Sequence, residues 1–425
     1  MHPDSMLRAF LAALLLLTLP CSVGMAAPPT DTTGIHVDLP GSRLQPRELA
    51  VIVNDADPLS VQIGNYYRQA RQLPEANIIH IRFRPGHGRM SPAEFAPLKA
   101  AVDKATPEQV QAYALTWMTP FRVDCMSITS AFSFGFDKAW CSAKRCAPTR
   151  LNPLYNYAGR RPWSDRGVRP TMSIAAKDFA TAQQLIDRGI TSDGTRPAGT
   201  AYLLSTPDKA RNVRASNFRR IQQAMQGWIA TQQVTGKGIR DRDDVLFYFT
   251  GITKVPYLDT LGFKPGAVAD HLTSAGGKLT GKKQMSALRW LEAGATGSYG
   301  TVVEPCNLPG KFPNPGLLMD SYGSGRSLVQ AYWQSVQQPG EGIFIGEPLA
   351  APFAGYKLTA EDDDLWLNTR VLQPGYYQLA YSRYPVGPFE IAGLLKARYH
   401  QTGFRLPMLG KGYYRLQHVR APNSG

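Results

Sequence analysis

Three side chains in the second half of the chain could together perform nucleophilic catalysis: His271, Ser274 and Glu304. The segment LGFKPGAVADHLTSAGG predicts a short helix over residues 265–276, on which His271 and Ser274 share a face. Glu304 directly follows a predicted strand over residues 297–303. A serine, an imidazole and a carboxylate form a hydrolytic triad when hydrogen bonds join them. A non-catalytic alternative is that Ser274 lies at the helix end and His271 is partly exposed. It remains open because the glycines after Ser274 do not form a nucleophile elbow.

A second group of polar residues follows the first predicted strand, over residues 49–53. Asn54, Asp55 and Asp57 come directly after it, and Pro58 begins a predicted helix. In α/β proteins, side chains at the carboxyl ends of strands often bind a ligand. An aspartate before a proline is equally typical of a helix cap, so both roles remain open for these residues.

Positive charge dominates the chain and is concentrated in one stretch. The formal net charge is +15, and residues 138–169 contain a single acid, Asp165. The basic residues of this stretch are Lys138, Lys144, Arg145, Arg150, Arg160, Arg161, Arg166 and Arg169. Such a surface attracts polyanions, although it also fits a solvated loop with counterions. We predict that Arg122, Arg160 and Arg161 contribute to ligand binding, with an acidic glycan or envelope protein rather than nucleic acid as the partner.

The amino-terminal segment predicts export. MHPDSMLR precedes the apolar run AFLAALLLLTLP, and SVGMA then provides small residues for cleavage after Ala26. Cys21 would allow a lipoprotein, but Pro20 occupies the position where a small residue is expected. No other run is long and apolar enough to cross a bilayer. The expected location is therefore the periplasm or the cell surface, without a transmembrane segment after cleavage of residues 1–26.

Four cysteines follow the predicted signal peptide, and an even number in an exported chain indicates disulfides. Cys141 and Cys146 enclose a short loop, which favours a bond between them. Cys125 and Cys306 would then form the second bond. Either of these two could instead be a free nucleophile beside His271. The spacing is a poor zinc signal, and His80 and His87 are too isolated to indicate a metal. Nucleotide-binding motifs are also lacking, so we predict neither a metal nor a cofactor.

The alternation of apolar runs and helical periods predicts an α/β fold with a mostly parallel sheet. Predicted strands cover residues 49–53, 78–83, 112–117, 199–204, 244–250, 297–303 and 342–345. Predicted helices cover residues 58–72, 91–104, 176–188, 217–232, 265–276, 284–293 and 325–337. The α/β domain would span residues 27–353, with a basic, loop-rich insertion at about residues 125–170. Residues 354–425 alternate apolar and polar side chains and predict a small antiparallel β-unit.

Three long stretches carry a resemblance: LAVIVNDADPLSVQIGNYYRQARQLPEANI, FKPGAVADHLTSAGGKL and GATGSYGTVVEPC. They resemble, with several others, an uncharacterised family of exported proteins from bacteria that carry the exosortase sorting system. The order DVLFYFTG, helix, LEAGATGSYGTV, helix, IFIGEPL is also similar to gingipain and caspase-like cysteine peptidases, which implies a three-layer sandwich. Those peptidases place a His-Gly pair after one strand and a cysteine after the next. Here Thr250-Gly251-Ile252 occupies the first position, and no cysteine lies between it and Glu292.

These observations lead to two main hypotheses and one that remains open. The first is a binding or scaffolding protein of the cell envelope, active in protein sorting or at surface polysaccharide. The alternative is a divergent hydrolase, a peptidase or esterase, that uses His271 with Ser274 or a cysteine. A purely structural envelope protein, with the carboxyl-terminal unit as its contact surface, also fits the sequence.

Overall fold

The computed structural model describes residues 32–143 and 146–421 of the chain. The predicted signal peptide lies outside these described residues, as do Lys144 and Arg145 of the basic stretch. In the described part, the α-helices are Pro58–Arg71 (α1), Pro92–Ala105 (α2), Ile128–Phe134 (α3), Pro162–Arg166 (α4), Phe179–Ser192 (α5), Phe218–Ala224 (α6), Leu288–Glu292 (α7), Pro315–Gly323 (α8) and Leu328–Ser335 (α9). The β-strands are Ile35–Asp38 (β1), Leu49–Asn54 (β2), Ile78–Ile81 (β3), Arg89–Met90 (β4), Ala112–Leu115 (β5), Arg122–Val123 (β6), Met126–Ser127 (β7), Thr171–Ser173 (β8), Thr200–Ser205 (β9), Thr231–Thr235 (β10), Arg242–Gly251 (β11), Leu261–Leu272 (β12), Gly297–Thr301 (β13), Gly342–Gly346 (β14), Tyr356–Glu361 (β15), Asp364–Thr369 (β16), Gly375–Ser382 (β17), Glu390–Ala397 (β18), Gly403–Pro407 (β19) and Gly412–Val419 (β20).

The described residues form a central sheet of ten strands in the order β10-β9-β11-β12-β13-β14-β8-β5-β2-β3. Neighbouring strands are parallel except at the β13–β14 pair, which is antiparallel. Two parallel blocks of five strands therefore run in opposite directions. As a result, the carboxyl ends of β2 and β3 lie at the opposite edge of the sheet from those of β11 and β12.

Helices cover both faces of this sheet. On one face α1 packs on α5, where the rings of Tyr66 and Phe179 meet edge to face at 5.7 Å. On the other face α8 packs on α9, and Phe134 of α3 contacts Trp333 of α9 at 5.4 Å. The structure is thus a three-layer α/β sandwich, as the sequence predicts. Because both faces are covered, the inner strands are continuously apolar, as in the segment VLFYF of β11.

Local sequence explains where the first two helices begin. The side chain of Asp57 accepts a hydrogen bond from the Leu59 backbone at 3.0 Å, and Pro58 occupies the first turn of α1. Ser91 and Glu94 form a reciprocal capping box at the start of α2. Both starts agree with the sequence predictions.

Three helix predictions are wrong or too long. Residues 265–276 are not a helix, because residues 261–272 form strand β12. This strand tolerates Pro265 because the β11–β12 register shifts there and Gly266 has a φ of +85°. The helix predicted over residues 217–232 is too long: α6 ends at Ala224, Gly227 has a φ of +73°, and residues 231–235 form strand β10. Helix α7 covers only the second half of the predicted 284–293 segment.

The carboxyl-terminal β-unit is a sandwich of two sheets. One sheet has the order β15-β16-β19 and is antiparallel. The other has the order β1-β20-β17-β18, so a strand from residues 35–38 joins the unit predicted for residues 354–425. Ile35 and Val37 of β1 are buried in its core, which explains why this distant strand is recruited.

The four cysteines form two disulfides, but the predicted pairing is wrong. The bonds join Cys125 to Cys141 and Cys146 to Cys306, instead of Cys141 to Cys146 and Cys125 to Cys306. The buried helix α3 folds the chain back and brings Cys125 and Cys141 to a Cα distance of 6.0 Å. The predicted insertion is therefore tied to the segment after β13. Within the described residues, no helix has the length and apolar character needed to cross a bilayer.

Candidate ligand-binding site

The predicted catalytic histidine is fully engaged inside the protein. His271 lies near the end of β12 and is 1% exposed. Its Nε2 donates to the carbonyl oxygen of Met285 at 3.1 Å, and its Nδ1 accepts from Trp290 Nε1 at 3.0 Å. Burial, followed by the nearby Arg214 charge, lowers the pKa of His271 to about 3. The imidazole is therefore neutral, and neither nitrogen is left to accept a proton from Ser274.

Ser274 and Glu304, the other proposed members of the triad, do not interact with His271. Ser274 follows β12 in a loop and is half-exposed, because the helix that would have aligned it with His271 is absent. Glu304 is exposed, and its carboxylate accepts the backbone N–H of Cys306 at 2.8 Å. Cys306 and Cys125 are both in disulfides, so neither is a free thiol.

The polar residues after β2 hold the neighbouring segment in place. Asn54 is fully buried, and its side chain makes two hydrogen bonds to the backbone of Phe83, each at 3.1 Å. Asp57 caps α1, and Asp55 pairs with His80 at 2.7 Å on the surface. Of the three predicted ligand-binding residues, Asp57 thus caps the helix as the alternative interpretation expects, whereas Asn54 and Asp55 bind a different segment of the protein.

The segment that Asn54 fixes forms one wall of a basic cavity of about 550 Å³, here called the arginine cavity. Its lining residues are Arg82, Phe83, Arg84, His87, Arg89, Met90, Glu94, Pro97, Leu98 and Pro120. Phe83 is anchored edge to face on Trp117 at 5.1 Å, so the exposed Arg82 and Arg84 flank a fixed residue. The cavity lies at the carboxyl edge of β2 and β3, where open α/β sheets carry ligands.

Arg122 adds a further positive charge beside this cavity. It pairs directly with Arg89 in the parallel β4–β6 ladder. Partial burial, and then the Arg89 charge, lower the pKa of Arg122. Arg89 forms an ion pair with Asp124, whereas Arg82, Arg84 and Arg122 form none with any described residue. Asp124 also attracts Arg122, so the cations of the site without a carboxylate partner among the described residues are Arg82 and Arg84.

Glu94 is the only acid in the lining, and its carboxylate is hydrogen-bonded to Ser91. Its carboxylate accepts hydrogen bonds from the backbone and hydroxyl of Ser91, at 2.9 and 2.7 Å. These bonds lower the pKa of Glu94 and keep it charged at the start of α2. Glu94 therefore serves the helix cap and makes no ion pair with the cavity arginines.

Several described basic residues of the insertion contact other parts of the protein, although Arg150 alone among them forms an ion pair. Arg150 pairs with Asp137 at 3.0 Å, and Arg169 is buried with its guanidinium 3.5 Å from the Trp163 ring centre. The Arg160 guanidinium lies so close to Gly41 that a Cβ there would be 2.5 Å away. Lys138 and Arg161 are exposed and form no ion pair within the described residues. Arg160 and Arg161 do not line the arginine cavity.

Arg82, Arg84 and Arg89 are not among the residues predicted from the sequence. Their signal is the alternation in HIRFRPGHGR, directly after the predicted strand over residues 78–83. Alternate residues of an extended segment lie on one side of it, so the two arginines of RFR project together. Comparison of the chain with protein-family models, curated proteins and solved structures finds no match.

Proposed function

We propose that this protein is an exported binding protein whose arginine cavity recognises an acidic glycan. The observation that carries the proposal is that Arg82 and Arg84 have no ion-pair partner among the described residues and line a cavity beside the paired Arg89 and Arg122, at one edge of the sheet. Cations that have no carboxylate partner attract an external anion, and the guanidinium group matches a carboxylate with two parallel hydrogen bonds. Arg89, which already pairs with Asp124, adds to the positive potential.

The apolar part of the cavity favours a sugar ring over a simple inorganic anion. Phe83, Met90, Leu98 and two prolines line it beside the basic residues. Hydrocarbon faces of a sugar can pack on such a surface while its carboxylates reach the arginines. Export is supported by the predicted signal peptide, the two disulfides and the resemblance to exported proteins of exosortase-carrying bacteria.

No observation among the described residues favours the hydrolase alternative. Both nitrogens of His271 are occupied, and the four cysteines are oxidised in pairs. General-base catalysis requires an imidazole nitrogen that is free to take the proton of the nucleophile. We therefore propose binding without catalysis.

The test is calorimetric titration of residues 27–425 with an oligogalacturonate, with a neutral maltooligosaccharide of equal length and with inorganic phosphate. The double variant R82Q/R84Q should bind the acidic sugar about tenfold more weakly, since each charge-assisted contact contributes about 1.5–3 kcal/mol when desolvated and less when exposed. Binding should also weaken as salt increases. R219Q/R220Q, which removes two exposed arginines of α6, is the control with the same charge change.

Equal binding of the neutral sugar, or unchanged affinity in R82Q/R84Q, would contradict the proposal. Loss of affinity in K138Q/R161Q instead would assign binding to the insertion. Phosphate binding as strong as that of the sugar would show that the cavity recognises charge alone.

A further inference from the structure

A second cavity lies in the other half of the sheet, at the carboxyl ends of β11 and β12. It has a volume of about 710 Å³, within the range of small-molecule sites. One wall is the connection from β11 to β12, residues 254–259, and the other is the connection from β12 to α7 together with α7, residues 279–292. We call it the crossover cavity. It shares no residue with the arginine cavity.

Hydrogen bonds fix both walls to each other and to β12. The Met285 backbone N–H donates to the Thr253 carbonyl at 3.0 Å, which joins the two walls directly. His271 then holds the Met285 carbonyl at 3.1 Å. The side-chain oxygen of Gln284 accepts the Ala275 N–H at 2.7 Å. These hydrogen bonds hold the walls of the cavity in place, so binding would require little ordering of the chain.

The charges around the cavity are mainly positive. Lys254 and Lys282 stand on opposite walls, are exposed and form no ion pair with any described residue. Lys177 and Arg289 both pair with one carboxylate, Glu292, each at 2.5 Å. Asp259 is the remaining acid of the lining. Four cations against two carboxylates leave an excess of two positive charges, which favours an anionic ligand.

The floor between these charges is apolar. It is made by Val255, Leu258, Leu279, Met285 and Leu288, each at most 9% exposed. An inorganic anion on this floor would lose hydration without gaining hydrogen bonds there. A ligand with a hydrocarbon body would instead remove apolar surface from water.

We propose that the crossover cavity is a second binding site, which takes an organic carboxylate with an apolar body. Lys254 and Lys282 hold the carboxylate from opposite walls, and the hydrocarbon part lies on the apolar floor. The ion pairs at Glu292 close one end of the site. This site does not depend on the function proposed for the arginine cavity.

The experiment uses the fluorescence of 8-anilinonaphthalene-1-sulfonate, an anionic aromatic probe, with the protein comprising residues 27–425. The probe should bind, octanoate should displace it, and acetate and octanol should displace it at least about tenfold less effectively. K254Q/K282Q should weaken probe binding about tenfold. K209Q/K237Q, with the same charge change at exposed positions, should leave it within about twofold.

The proposal is overturned if K254Q/K282Q binds the probe like the unmodified protein, or if acetate displaces it as well as octanoate. Weaker probe binding in R82Q/R84Q but not in K254Q/K282Q would also overturn it, since the probe would then occupy the arginine cavity. Circular dichroism of each variant confirms that it is folded, and failure of glycan binding alone leaves these outcomes unchanged.

Discussion

At the scale of single residues, burial decides what an imidazole can do. His271 has two hydrogen-bond partners, no contact with solvent and a pKa of about 3. It is therefore neutral throughout the physiological range, with its proton on Nε2 facing the Met285 carbonyl. Its function is to connect β12 to the connection that follows it. The same residue in an open cleft could act as a base, and sequence does not distinguish the two environments.

His271→Gln should remove part of the pH dependence of stability. In the unfolded chain the imidazole titrates near pH 6.5, whereas in the folded chain it titrates near 3. Between these values only the unfolded chain binds the proton, so stability is complete above about pH 6.5 and falls as the pH is lowered. From pH 7 to pH 5 the unmodified protein should lose about 2 kcal/mol more free energy of unfolding than the variant. Urea denaturation at both pH values measures this difference, and equal pH dependence would contradict it.

The residue scale also shows which functional residues could be predicted. The helix cap by Asp57 was predictable, because an aspartate before a proline is typical of a helix start. Arg82 and Arg84 could have been found from their alternation after a strand. Arg122 was predicted as a ligand-binding residue, but its pairing with Arg89 was not. Arg89 lies 33 positions earlier and is brought beside Arg122 only by the β4–β6 pair.

At the scale of elements, long periodic segments were predictable and short buried ones were not. Helices α1 and α2 have caps in the sequence, and β11 is an uninterrupted apolar run. Residues 267–272 are buried on both sides of the sheet, so neither a period of two nor one of 3.6 appears. Pro265 then suggests a helix start, although here it precedes a bulge. Strand β1 has four residues, and only its distant partner makes it a strand.

The double variant I35A/V37A should release β1 from the carboxyl-terminal unit. Both side chains are buried in the core of that unit, and each truncation should cost about 2 kcal/mol. Hydrogen exchange of β20 residues 412–415, which pair with β1, should accelerate relative to the unmodified protein. I391A, which truncates an exposed side chain of β18 in the same sheet, is the control. Unchanged exchange in β20 would mean that β1 contributes nothing to the unit.

At the scale of the whole molecule, the fold class was predictable and the long-range connections were not. Alternating apolar runs and helical periods predict a layered α/β protein regardless of strand order. The sequences of β13 and β14 do not indicate that these two strands pair antiparallel. Because they do, the two halves of the described sheet run in opposite directions, and the two cavities lie at opposite edges of the sheet. Cysteine pairing depends equally on the path between the cysteines, which is why proximity in sequence misled the prediction.

The two disulfides should contribute unequally to stability. Cys146 and Cys306 are 160 positions apart, whereas Cys125 and Cys141 are 16 apart. If disulfides act by restricting the unfolded chain, C146S/C306S should lower the free energy of unfolding by about 5 kcal/mol and C125S/C141S by about 3 kcal/mol. Guanidinium denaturation of both variants without reductant measures the order. A larger loss in C125S/C141S would contradict this account.

The pairing of β1 with β20 also constrains when the molecule can be completed. Asp38 and Arg415 are 377 positions apart, and their ion pair joins the first described strand to the last. During synthesis, β1 emerges long before its partner exists. Its edge must therefore remain unpaired until almost the whole chain has been delivered, and unpaired strand edges are prone to aggregation. A chaperone that shields residues 35–38 during this interval would keep the unpaired edge of β1 from pairing with another chain.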